Sequence, residues 1–242
     1  MISSSEALDA VRRSRRHPSP TQPDYLHLRE LVARLDEVLR TIPHPIEDLL
    51  DVWCGSRPYD DLFPPRARRV GLDVPGNPYG VADVVSDELL PFPDDSFDLV
   101  TCIEAYQYMP DPGNAASEFA RVLRPGGTAV VTLVFGYEYD RANPFEARYT
   151  EHQLRALFTA WADVRVFQDG GRTVTWTALT GSLLLGLQQR AGDSTPGRLA
   201  RPLFSATFAG LNGLGLALSR LESRSDLAAF PMNLTLVARA PR

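Results

Sequence analysis

Leucines at 28, 31, 35 and 39 recur at three- and four-residue intervals, which predicts a helix over residues 25–42, stopped by Pro43 and Pro45. Beyond it the rhythm changes. Apolar residues gather into short runs at 47–53, 70–73, 81–85, 97–103 and 128–134, each bounded by Gly, Pro or Asp, and such runs predict strands. A helical pattern covers about 113–123 and closes on Pro125-Gly126-Gly127, while 60–67 reads as a short helix or turn. Thr150-Glu151-His152-Gln153 is a capping box that opens a helix reaching Phe158. Two more strands are predicted at 162–167 and 232–238, and the long insertion between them, 170–231, holds two apolar helical stretches. Strands alternating with helices predict an α/β fold with a doubly wound, mostly parallel, seven-stranded sheet. An N-terminal helix precedes that sheet, and a helical insertion stands before its last strand.

Residues 1–23, rich in Ser, Arg and Pro, read as a flexible N-terminal arm, or alternatively as a segment that folds over a ligand. Residues 24–242 are expected to form one domain that includes the insertion. The helix at 25–42 is expected to lie on the sheet edge near the mouth of the site. A net charge of −5 argues against a nucleic-acid-coating role. Two cysteines, Cys54 and Cys102, fit a reduced, cytoplasmic protein and offer no metal-ligand cluster, so no metal is expected. All 25 basic residues are arginine. A Schiff-base enzyme and a lysine-bearing phosphate loop each need a lysine amine, so both are excluded.

The first apolar run ends in Asp51-Val52-Trp53-Cys54-Gly55-Ser56, a strand opening into a loop of small residues. Asp73 closes the second run about 20 residues later, where a nucleotide ribose expects a carboxylate partner. Two carboxylates at neighbouring strand ends would cradle a ribose and a tail that carries a cation. The Gly-x-Gly-x-x-Gly fingerprint of a nicotinamide dehydrogenase is absent.

Four stretches in order, the Asp51–Ser56 loop, Gly71-Leu72-Asp73, residues 90–100 (Leu-Pro-Phe-Pro-Asp-Asp-Ser-Phe-Asp-Leu-Val) and residues 118–127 (Glu-Phe-Ala-Arg-Val-Leu-Arg-Pro-Gly-Gly), resemble the class I methyltransferases that use S-adenosylmethionine (SAM). The resemblance spans roughly 47–169, with a closing strand at 232–239, and implies a Rossmann-like fold, SAM as cofactor and methyl transfer. It implies that Asp51 and Gly55, with Trp53 and Cys54 in the same loop, flank the methionine moiety and that Asp73 holds the ribose. It places Asp87 on the adenine amino group with Val85 and Ser86 beside the ring, and Ile103 and Glu104 at the sulfonium end. Arg121 reads as a structural tie between helix and sheet.

The sequence departs from that pattern at two places. Trp53 and Arg57 stand where the family carries glycine, a residue that lets the backbone approach the ligand. Arg57 belongs to a variant loop closing on Pro58-Tyr59, and the Trp53 indole is expected to turn into the sheet–helix interface, leaving the site open. Tyr108 stands where related enzymes often have histidine, and a tyrosine is a weak base, so it is expected to orient an acceptor hydroxyl. His152 and Glu104 are the other catalytic candidates.

The run at 203–218 is too short for a membrane span. It leaves a lid over the acceptor pocket, a homodimer face and an interfacial membrane contact as alternatives. A lid would imply a bulky, partly apolar small-molecule acceptor from bacterial secondary or glycan metabolism, methylated on oxygen. The alternative reading is a protein of this fold that has lost methyl transfer and catalyses a cyclisation or rearrangement, or serves as an interaction module.

Overall fold

Odd and even residues of the central strands part cleanly between two layers. Strands β1 (Asp48–Val52), β4 (Phe97–Ile103) and β5 (Leu123–Val134) pair in parallel and turn Leu50, Val100 and Val131 to one face. Leu49, Leu99 and Val130 face the other way. The described residues of the computed structural model are 5–86, 90–138, 143, 145–192, 195–223 and 229–241. The sheet has seven strands in the order β3-β2-β1-β4-β5-β7-β6, with β2 at Arg68–Asp73, β3 at Val84–Val85, β6 at Ala162–Asp169 and β7 at Asn233–Arg239. Pairings among the first five strands are parallel, whereas β7 lies antiparallel between β5 and β6.

Helix α2 (Tyr25–Arg40) buries Leu31, Leu35 and Val38 against Leu49, Leu99, Val130 and Val237. It therefore covers the middle of one face and not the sheet edge, because its leucine stripe matches the apolar positions of the central strands. Each fully buried leucine contributes about 1.5–3 kcal/mol. On the opposite face α3 (Pro112–Val122) buries Phe119 and Val122; Asp111 caps it through Asn114 N, and Pro112 occupies its first turn. The capping box at Thr150 is formed and opens α4 (Glu151–Leu157). The fifth strand starts at Leu123, ahead of the expected 128, because Leu123 pairs with Phe97 before a bulge. Arg121 donates to the carbonyls of Phe92 and Leu90 and so ties α3 to the Leu-Pro-Phe turn.

The expected flexible arm is a helix in the described part. α1 (Ser5–Arg16) has no buried residue and is held by arginines: Arg12 Nε donates to Ser56 O at 2.7 Å, Arg16 Nε to Asp61 at 2.7 Å, and Arg15 pairs with Glu104. Among its described residues the insertion holds the helices α5 (Arg172–Ala191) and α6 (Thr195–Ser219). Asn212 Nδ2 on α6 donates to the carbonyls of Pro20 and Gln22 at 2.7 and 2.8 Å, fixing the stretch that joins α1 to α2. Among the described residues no helix is long and apolar enough to cross a membrane.

Candidate functional site

Strand order reverses direction between β1 and β4, and a crevice at the carboxyl end of such a switch point is where open α/β sheets bind ligands. A cavity of about 520 Å³ lies there, lined by Asp51, Gly55, Asp73, Ile103, Tyr108 and Arg15 among others. That volume suits a cofactor-sized molecule. A second, more apolar cavity of about 320 Å³ adjoins it along Val52, Leu72, Ser86, Leu90, Met109 and Phe119. Trp53 lines both cavities and also packs against the core. The expected turn of the indole into the interface is thus only part of the picture: the ring is half-buried and forms a wall shared by the two spaces.

The acids are set by the loop that β1 opens. Gly55 has φ +58° with nothing within 4 Å of where a Cβ would stand, so a ligand can approach its backbone closely. Its N–H donates to Asp73 Oδ2 at 2.7 Å, Asn77 Nδ2 donates to the same oxygen at 2.7 Å, and Val74 N donates to Oδ1 at 2.8 Å. A carboxylate offers about four acceptor positions, so Asp73 keeps capacity for a ribose hydroxyl. Asp51 is buried beside it and accepts from Thr101 Oγ1 at 2.7 Å. Burial pushes its carboxyl up to about 7, with Asp60 and Asp73 adding to that and Thr101 and Arg57 opposing it. A ligand ammonium there would favour the charged form. These donors and acceptors fit a SAM-like nucleoside with a cationic amino-acid tail. Arg57, also at positive φ, is clamped by Asp60 and Asp83 and supports the loop from outside.

Several expected site residues take other places. Glu104 lies in the cavity wall at φ +53°, but both its oxygens are engaged, one by Arg15 and the other by His27 Nε2 at 2.6 Å. Burial works against its charge, yet His27 and Arg15 together hold it down to about 2. A carboxylate so acidic and so fully partnered is neither an acid nor a useful base at neutral pH; it anchors α1 and α2 at the site. His152 is exposed on the first turn of α4 and lines neither cavity, because the capping box turns that position to solvent. Val85 is 60% exposed and lines neither cavity, since β3 is a two-residue edge strand. Ser86 does line the smaller one. Asp87 lies outside the described residues. Cys54 is buried, and burial with Asp51 and Asp73 nearby pushes its thiol upward, so it fills the loop and is no nucleophile. Arg15 and His27 were not expected at the site. The available signal was the placing of Arg12, Arg15 and Arg16 on one helical face.

A family model described as a methyltransferase domain matches residues 61–131. A ubiquinone/menaquinone biosynthesis C-methyltransferase, UbiE, of Geobacter sulfurreducens is 33% identical over 109 residues, covering 39% of this chain and 41% of that protein. A demethylmenaquinone methyltransferase of Renibacterium salmoninarum is 40% identical over 131 residues, covering 47% and 51%. The chain thus spans about half the length of these curated relatives. A solved structure of a putative sarcosine dimethylglycine methyltransferase from Galdieria sulphuraria superposes with a TM-score of 0.54 at 18% identity, over 88% of each chain, which establishes the shared fold.

Proposed function

We propose that this chain, which carries a methyltransferase domain at 61–131 on the class I methyltransferase fold, is a SAM-dependent methyltransferase acting on an oxygen of a small, partly apolar acceptor. The observation that carries this reading is the pairing of Asp51 and Asp73 across the open Gly55 backbone at the switch point of the sheet. SAM, when bound, supplies a sulfonium methyl open to in-line displacement. Asp73 would hold a ribose hydroxyl, Asp51 the ammonium of the methionine end, and Leu72, Ser86 and Leu90 the apolar side of the adenine. Ile103 and Tyr108 line the same cavity; in this reading they would lie beyond the methionine end, where Tyr108 would orient an acceptor hydroxyl. Orientation supplies much of the rate of a displacement, so a strong base is not required. The acceptor's apolar character rests on Met109, Pro110 and Phe119, which line the smaller cavity.

Titration calorimetry with SAM and S-adenosylhomocysteine tests the reading. We expect both to bind, and Asp73→Asn to weaken binding at least about tenfold, since a lost charge-assisted hydrogen bond costs about 1.5–3 kcal/mol. The same variant's melting temperature separates this loss from a collapse of the loop around Gly55, Val74 and Asn77. A second reading is favoured by Trp53, which divides the space a SAM molecule would cross: a relic of the fold that performs a rearrangement without transfer. No heat from the wild-type protein with either ligand would support it.

A further inference from the structure

We infer that the helical insertion is a docking surface for an anionic lipid membrane. The insertion breaks the usual rule that a surface helix turns its polar side to solvent. Trp176, Leu179, Leu183 and Leu187 are all exposed on α5, and at 3.6 residues per turn they fall within an arc of about 80°. Leu199, Leu203, Leu214 and Leu218 on α6, with Leu221 just beyond it, are exposed within an arc of about 100°. These nine are among the twelve exposed large apolar side chains of the described residues, so the apolar surface is concentrated in the insertion and not scattered. The stripes lie opposite the buried positions of their own helices. Gly181 closes on Pro23, and Gly215 on Thr177 and Leu26, so both helices are already packed on their inner sides.

Charge identifies the occupant. Residues 171–221 hold five arginines, at 172, 190, 198, 201 and 220, and one carboxylate, Asp193, a net of +4. The whole chain carries −5, so the remainder carries −9. An acidic body thus presents one basic, leucine-faced element. That combination matches a helix lying in an anionic interface, leucines and tryptophan at the acyl boundary and guanidinium groups among the phosphates. A second copy of this chain would set two faces of net +4 against each other. Among the described residues neither helix combines the length and the apolarity needed to cross a membrane.

The surface also sits beside the site. Val174 and Ala178 of α5 pack with Val134 at the carboxyl end of β5, and Leu26 and Tyr137 join them. The Tyr137 ring is 5.8 Å from that of His27, which binds Glu104 in the cavity wall. Asn212 pins the segment that follows α1. Docking would therefore set α5 between the lipid and the residues packed around the cavity wall. The inference concerns binding alone and stands whether or not the chain transfers methyl groups.

Flotation of the purified chain with phosphatidylglycerol vesicles, against phosphatidylcholine vesicles, tests it. We expect about tenfold more protein on the anionic vesicles, and weakening as salt rises from about 0.1 M to about 1 M, where the Debye length falls from about 10 to about 3 Å. Leu183→Glu with Leu214→Glu should lower vesicle binding about tenfold or more without lowering the melting temperature, because both positions are exposed. Arg190→Ala with Arg220→Ala should lower it about fivefold per arginine. Equal binding to both vesicle types, or no loss in the leucine variant, would overturn the proposal. So would a dimer, or a complex with an acidic protein, that the leucine variant abolishes while the wild-type chain ignores vesicles.

Discussion

A single side chain sets the width of the ligand space. Trp53 holds φ +56°, a conformation that glycine adopts freely and that costs other residues about 1–3 kcal/mol. Trp53→Gly removes that strain and a half-buried ring together, so we expect a melting temperature close to wild type. With the wall gone, the two cavities join, and SAM affinity should rise about fivefold or more by calorimetry; unchanged affinity would mean that the ring only packs. Asp51 and Glu104 pull stability in opposite directions with pH. Between the ordinary carboxylate value near 4 and about 7, the folded chain holds a proton on Asp51 that the unfolded chain lacks, so this group lowers stability as pH rises through that window. Glu104 contributes above its ordinary value, and that contribution is lost as pH falls toward about 2. For binding, a charged Asp51 attracts the cofactor's ammonium. SAM affinity should therefore climb from about pH 6 to about pH 8 in the wild type and stay flat in Asp51→Asn. Asp51, Gly55 and Asp73 were legible in the sequence because a strand-to-loop transition fixes their places. Arg15 and His27 were not: their partner Glu104 lies 89 and 77 residues away, a separation that no local pattern reports.

At the level of elements, strands and buried helices were legible because each must match an apolar stripe to a core. α1 escaped for the converse reason. It buries nothing, and its arginines reach for Ser56, Asp61 and Glu104, so its sequence looks like that of a solvated arm. The position of α2 was misjudged because its leucine stripe identifies an apolar partner without saying which strands supply it. The two insertion helices were foreseen, but their seating depends on close approaches that only three dimensions show. A Cβ on Gly181 would meet the carbonyl oxygen of Pro23 at 2.4 Å, and backbone cannot step aside as a flexible side chain can. Gly181→Ala should therefore unseat α5 from the 20–23 segment and destabilise the protein by about 1–3 kcal/mol. Thermal unfolding measures it. Gly186→Ala, with open space around it, is the control that should not destabilise.

Across the whole molecule, the parallel half of the sheet follows from strand–helix alternation, and the order of its last three strands does not. β7 enters between β5 and β6, pairing with β5 from Thr128 to Val134 and with β6 from Ala162 to Asp169. Seen in the time of synthesis, this means that two strands wait for a third. From the completion of β6 at residue 169 to that of β7 at residue 239, a ribosome needs roughly four to fourteen seconds at about 5–20 residues per second. For that interval β5 and β6 expose unpaired edges, the kind that templates aggregation. A chain ended at residue 231 would make the wait permanent. It should show no cooperative thermal transition by circular dichroism and should aggregate during expression. The closing strand acts as a clock as well as a support: the site at the far end of β1 and β4 gains a finished sheet beneath it only when β7 has been made.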